Sequence, residues 1–204
     1  MIIGLIVLLF SIIAHELAHG YMALYLGDNT AKLRGRLSWN PLNHIDPLGS
    51  VILPGMLWLV GSRVLFGWAK PVPINPDNLP NPRKDMMFVG AAGPLANFFI
   101  AGVASLLLHL APAVRTNSLG LILQLIVIYN IILPVFNLIP IPPLDGSRVM
   151  TGLLPYKYAR EYSKLEPYGI AIVFLLLYFG LLSRIIELIW PVIGFLLGPA
   201  ALFK

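Results

Sequence analysis

The chain has 204 residues, of which 58% are hydrophobic and only 11% charged. Soluble domains carry about 25% charged residues, so a mean hydropathy of +0.83 excludes a water-solvated globule, a disordered chain and a fibre. With no cysteine, disulfides are excluded and any metal site must use His, Asp or Glu. The net charge of +5 marks an excess of Lys and Arg in cytoplasmic loops rather than a nucleic-acid partner.

In chain order, no charged residue precedes Glu16, and none comes after it until Asp28. Leu5–Leu26 reads as a spanning helix, since a span needs about 20 apolar residues. The amino terminus lacks a basic n-region, and its apolar run continues into ionisable residues, so it does not read as a cleavable signal peptide. Lys32–Trp39 alternates apolar and polar residues and is expected to be an extended strand. Pro47–Ser62 is apolar, but Pro54-Gly55 divides it into halves too short to span. That points to a re-entrant segment. Trp68–Ile74 carries Pro71 and Pro73 and reads as a second extended edge. Met86–Leu110 and Leu119–Ile139 are two further spans, and Pro167–Ser183 is a fourth, extending toward Ile189. Residues 185–203 read either as one more span or as an interfacial helix.

The expected fold is therefore an α-helical polytopic membrane protein. It has about four to six transmembrane helices, a re-entrant segment and short membrane-associated strands. A single domain covers residues 1–204. Eleven of the fourteen Lys and Arg flank these elements on one side, which places that side in the cytoplasm and the amino terminus outside.

Two carboxylates, Glu16 and Asp145, fall inside apolar territory, where an ionisable group is costly and marks function. Glu16 belongs to His15-Glu16-Leu17-Ala18-His19. On a helix, residues four apart lie one turn above each other, so both imidazoles reach one metal ion. Glu16 stands beside them as a general base. This is the metalloprotease pattern, with zinc as the ion. A catalytic zinc takes three protein ligands and keeps one open position. His109 lies at the far end of its span and reads as packed or interfacial. His44 sits in a polar loop that could line the site. Asp145 is the stronger candidate: Pro140, Pro142 and Pro143 break the helix before it and turn it inward, and Gly146 lets the backbone restart. The competing reading makes Asp145 the N-cap of the next helix, and spacing alone leaves both open.

These residues carry a family likeness. His15–His19 in a membrane helix, Ala92-Gly93-Pro94-Leu95-Ala96-Asn97 at the start of a core helix, and Asn137-Leu-Ile-Pro-Ile-Pro-Pro-Leu144-Asp145-Gly146 resemble, in order, the landmarks of the site-2 protease family of intramembrane zinc metalloproteases. Asn40–Pro47 and Trp68–Pro73 are similar to loops of its smaller microbial members. The resemblance runs from the first helix to about Arg148. It implies a Zn2+ cofactor held by His15, His19 and Asp145, with Glu16 as general acid/base. It implies that Asn137 steadies the substrate backbone or the oxyanion, and that Gly93 and Asn97 serve close helix packing. His44 and Asn97 are carried as candidate substrate-binding residues. No span is expected before the zinc helix, nor a PDZ-like or regulatory domain.

The expected reaction is hydrolysis of peptide bonds in transmembrane or membrane-associated proteins, which must unwind to be cut. The extended segments are expected to pair with the unwound substrate by strand addition. Expected partners are membrane-protein substrates and the lipid bilayer, with no nucleic acid and with oligomers open. The expected location is a bacterial or archaeal cell membrane, with the site toward the cytoplasm. A transporter would show internal repeats, a di-iron oxygenase more than four histidines, and a dead scaffold a lost ligand or base. None of these marks is present in the sequence.

Overall fold

The computed structural model describes residues 2–52, 55–56, 59 and 69–198. Among the described residues, three helices are long and apolar enough to cross a membrane: α1 (Ile2–Tyr25), α3 (Pro82–Leu110) and α4 (Ser118–Asn137). Between the first two lies the four-residue α2 (Thr30–Leu33). After α4 come α5 (Asp145–Leu153), α6 (Tyr156–Ser163), α7 (Gly169–Tyr178) and α8 (Leu181–Leu197). The protein is thus an α-helical polytopic membrane protein.

Local chemistry sets the helix ends. α3 begins at Pro82, earlier than the apolar run suggests. Proline at a first helical position wastes no N–H, and Asp85 reaches back to accept the Asn81 N–H at 2.7 Å. Asn117 caps α4 by accepting the Gly120 N–H at 3.0 Å. The expected fourth span, Pro167–Ser183, runs across the break of a bent pair: the helical run Tyr156–Tyr178 and the helical stretch Ser183–Leu197 meet at 73°. The break falls at Gly180, whose φ of +78° an L side chain rarely adopts.

The expected strands do not form: there is no strand among the described residues. Asp28 turns the start of the first segment helical by accepting from the Thr30 N–H at 3.0 Å and from the Thr30 hydroxyl. In the second segment, residues 69–75 are irregular, and the bonds that fix them run largely to side chains. Of the expected re-entrant segment, Pro47–Ile52 is one wide helical turn. Most of the remainder lies outside the described residues.

α3 is the central element and packs on α1, α4 and α5. Small and branched residues build the core at one end of the bundle, among them Ala101, Ala104 and Leu108 of α3, Val127 and Ile131 of α4 and Ile193 of α8. Small residues let helices approach closely where lipid supplies no hydrophobic drive. The helices are inverted relative to those of a soluble protein. α1 buries Ser11, His15 and His19 and exposes Leu5, Ile6 and Phe10, while α3 exposes Leu95, Phe99 and Leu106. Apolar faces outward and polar groups inward are what a bilayer requires.

Asp28 ties the end of α1 to the turn before α3. It is fully buried, and its carboxylate also accepts from the Asn75 N–H at 2.7 Å and the Asn78 amide at 2.8 Å. Burial alone would raise its pKa. The hydrogen bonds from Thr30, Asn78 and Asn75 outweigh that and hold the carboxyl below its ordinary value. A depressed folded-state pKa contributes stability that is present above the unfolded value, near 3.9, and is lost as pH falls through the folded value. Asp28→Ala is therefore expected to lower stability by about 2–3 kcal/mol at neutral pH. In thermal unfolding of the detergent-solubilised protein, the gap from the parent should close as the pH drops below about 4.

Candidate metal centre

His15 and His19 stand on adjoining turns of α1 with their rings edge to face, centroids 4.6 Å apart at 88°. Their third neighbour arrives from the far side of the fold. α4 stops at Asn137, and the chain unwinds through Pro140, Pro142 and Pro143. Two tight turns, Ile141 N–H to Ile139 O at 2.8 Å and Leu144 N–H to Ile141 O at 2.9 Å, bring it back. Tyr162 of α6 braces this loop by donating to Pro140 O at 2.6 Å. α5 then begins at Asp145. The cap position belongs to Leu144, which removes the N-cap reading of Asp145. Its carboxylate is turned to the histidines, with Oδ2 lying 2.9 Å from His15 Nε2 and 3.1 Å from His19 Nε2. Arg148 Nη1 donates to Oδ1 at 3.4 Å. Gly146 serves a different purpose from the one expected. Its φ is not positive, but an added Cβ would lie 2.1 Å from Leu138 O, so the glycine lets the unwound loop lie directly against α5.

His15, His19 and Asp145 are all buried, and one ligand atom from each lies within 4.8 Å of the others. The outer ring nitrogens decide what this cluster can hold. His19 Nδ1 lies 2.6 Å from Val89 O, and His15 Nδ1 lies 2.5 Å from Asn97 Oδ1. Both partners are acceptors, so in the neutral ring each Nδ1 carries the proton and each Nε2 presents a lone pair. Two lone pairs and a carboxylate oxygen then face one another, a donor set that suits a divalent cation. α3 leaves room for one. A Cβ on Gly93 would lie 2.5 Å from His19 Nε2 and 2.7 Å from His15 Nε2. The residues present therefore fit a zinc ion.

Glu16 lies on the next helical position, and its Oε2 accepts the Val72 N–H at 2.9 Å. Val72 belongs to a strap, residues 69–75, laid across α1. A Cβ on Gly20 would lie 2.9 Å from Val72 Cγ1, so the strap rests directly on the helix. Arg36 clamps it by donating to the carbonyls of Lys70 and Pro71 at 3.0 and 3.2 Å. The Lys70 N–H adds a bond to His44 O at 2.9 Å. The sequence reading missed this strap-to-Glu16 contact. A signal was present, because Pro71-Val72-Pro73 leaves Val72 the one N–H of three.

The donors, Glu16, the strap and Asn137 open on a cavity of about 440 Å³ walled by Phe136, Ile170, Val173 and Phe174. Asn137 ends α4 and donates to Leu133 O at 3.0 Å. The other expected site residues lie elsewhere. Asn97 is fully buried behind His15. His44 is 1% exposed, and its Nε2 donates to Ser38 O at 2.8 Å. Neither lines the cavity, so their positions offer bracing rather than the expected substrate contact. His109 bonds to Ser105 O, near the other end of α3 from His19's partner Val89.

A buried triad of two histidines and an aspartate in a membrane bundle defines a class, and comparison with known proteins gives it a name. The model of peptidase family M50 matches residues 111–180. The chain is similar to "Putative zinc metalloprotease YwhC" of Bacillus subtilis (strain 168), 37% identical over 196 residues that make up 93% of this chain and 84% of that one. It is also 28% identical over 188 residues to zinc metalloprotease MJ0392 of Methanocaldococcus jannaschii, covering 91% of this chain and 45% of the relative. No solved structure matches the chain significantly. The chain belongs to peptidase family M50, the site-2 protease family, and is a zinc metalloprotease.

Gly93→Ala is expected to reduce the zinc content of the purified protein to roughly a tenth or less, since its Cβ would enter the space between the two Nε2 atoms. Gly102→Ala on the same helix, where a Cβ meets nothing within 4 Å, should keep its zinc. Metal analysis of both proteins checks this.

Proposed function

We propose that this protein hydrolyses peptide bonds of membrane-embedded protein substrates, with zinc held by His15, His19 and Asp145 and with Glu16 as general base. The observation that carries this reading is that three candidate metal donors and the Glu16 carboxylate, held at one oxygen by the Val72 N–H, face one largely apolar cavity between the spanning helices. Zinc bound there supplies a Lewis acid that polarises the scissile carbonyl and lowers the pKa of water to about 7.

The chain's own residues do the rest. Glu16 takes a proton from the attacking water as its oxygen bonds to the carbonyl carbon. It returns that proton to the amine as the C–N bond breaks. The Val72 N–H holds Oε2, which directs proton transfer to Oε1. Asn137, at the cavity wall, has an amide N–H to offer the developing oxyanion. Phe136, Val173 and Phe174 exclude bulk water, which strengthens each of these interactions.

A substrate helix must unwind to present its carbonyl, and the strap is the edge it meets. The carbonyls of Lys70 and Pro71 and the Val72 N–H already have partners. Strand addition therefore falls to the stretch from Val72 O to Ile74. Basic residues cluster beyond the end of α1, at the start of α3 and after Asp145, which supports a site toward the cytoplasmic face. The relatives in Bacillus and Methanocaldococcus support a bacterial or archaeal membrane.

Cleavage of a transmembrane substrate by purified protein, with zinc measured alongside, tests the assignment. Glu16→Gln should keep its zinc and lose at least about 100-fold in rate; undiminished activity would overturn its role. Asp145→Ala should lose both zinc and activity, and a full zinc load would remove Asp145 from the ligand set.

A further inference from the structure

His15 leans on more than Asn97. Behind it, four side chains from three helices form one buried network: His15 and Ser11 of α1, Asn97 of α3 and Asn130 of α4, all 5% exposed or less. Asn97 Nδ2 donates to Asn130 Oδ1 at 2.6 Å and to Ser11 O at 3.2 Å. Asn130 Nδ2 donates to Ser11 Oγ at 2.7 Å and to Ile126 O at 2.9 Å. The Ser11 hydroxyl donates to Val7 O at 2.8 Å.

Every hydrogen in this network has one destination. The carbonyls of Val7, Ile126 and Ser11 accept only. The carbonyl of Ile126 fixes which end of the Asn130 amide carries nitrogen. Asn130 Oδ1, together with Ser11 O, then fixes the Asn97 amide. With both Asn97 amide hydrogens placed, only Oδ1 is left to face His15. That oxygen demands a proton on Nδ1, so in the neutral ring the lone pair sits on Nε2, toward Asp145. In an apolar bundle an unmatched donor is expensive, so the polarity is transmitted rather than averaged.

We propose that Asn130 is a positioning residue for His15: it sets the direction of the Asn97 amide and through it the metal-binding tautomer of the histidine. This rests on the reading of His15 as a zinc ligand. Asn130 never touches zinc or substrate. Without it, the Asn97 amide keeps only the longer Ser11 O bond at 3.2 Å, and a turn of its NH2 to the imidazole, which moves the ring proton to Nε2 and closes the metal face, becomes less costly.

The test is a double-mutant cycle on zinc affinity, measured by chelator competition with purified protein. Asn130→Leu should weaken zinc binding about 10- to 100-fold. Asn97→Asp supplies a carboxylate that has no N–H to present, so it accepts from Nδ1 whatever stands at position 130. In that background Asn130→Leu should change affinity by less than about threefold. An equal loss in both backgrounds, or no loss in the parent, overturns the proposal in favour of simple packing. Ser11→Ala, a single-atom deletion, gives a second arm should the leucine variant fail to fold. It should weaken zinc about threefold in the parent and not in the Asn97→Asp background. His15→Ala separates the two readings: full zinc retention there sinks the ligand assignment itself, whereas zinc loss there with parent-like Asn130→Leu sinks only the positioning role.

Discussion

Two imidazole nitrogens, each about 3 Å from one carboxylate oxygen inside an apolar bundle, set the terms for the rest of the molecule. Each of these groups is costly to remove from water, and their electron-rich faces repel unless a cation lies between them. Val89 O and Asn97 Oδ1 occupy the outer ring nitrogens, so neither histidine can relieve the strain by turning its proton inward. Arg148 engages the second carboxylate oxygen. A divalent cation between the three donors is the occupant proposed above, in keeping with the zinc metalloprotease family to which the chain belongs.

The same constraint explains the irregular parts of the fold. A continuous helix through residues 138–144 would carry Asp145 past the histidines, so the chain gives up helical hydrogen bonds there and recovers some of them in turns. The strap is irregular for a related reason. It must present an N–H to Glu16, and two flanking prolines with an arginine clamp hold it in place without a sheet. Nonhelical backbone at membrane depth is tolerated where it is buried or lines a cavity, and both segments contribute to the wall of the same one.

Much of this was legible in the sequence because membrane chemistry writes in large letters. The runs that became α3 and α4 lack charge over the length of a bilayer, and the run that became α1 carries Glu16 alone. His15-Glu16-Leu17-Ala18-His19 places two histidines one turn apart by helix geometry alone. Asp145 was legible as the other acid in apolar territory, although its 126-residue separation from His19 left its partner open. What stayed hidden depended on groups that every residue shares or on contacts across helices. Val89 contributes only a carbonyl, which no side-chain pattern reveals. Asn97 read as a packing or substrate residue because sequence does not say which way an α3 residue points. The alternation in Lys32–Trp39 suggested a strand, but Asp28 accepts from Thr30 two residues on and the first residues enter a helical turn, a competition decided by a local side-chain bond rather than by periodicity. Gly146 was expected for its conformational freedom and is needed for its lack of bulk.

Gly90, Gly93 and Asn97 occupy one face of α3, spaced three and four residues apart. In turn they meet the backbone of Asp145, the two histidine rings and the polar network behind His15. Each residue added to a helix rotates the downstream residues by about 100°. One residue inserted between Gly90 and Asn97 would thus swing part of that face toward lipid while leaving composition and hydropathy almost unchanged. Substitutions along α3 can be absorbed one contact at a time, but a change of length there cannot. Among descendants of this chain, insertions and deletions should therefore be tolerated in the connections, while the middle of α3 keeps its residue count long after its exposed side chains have diverged.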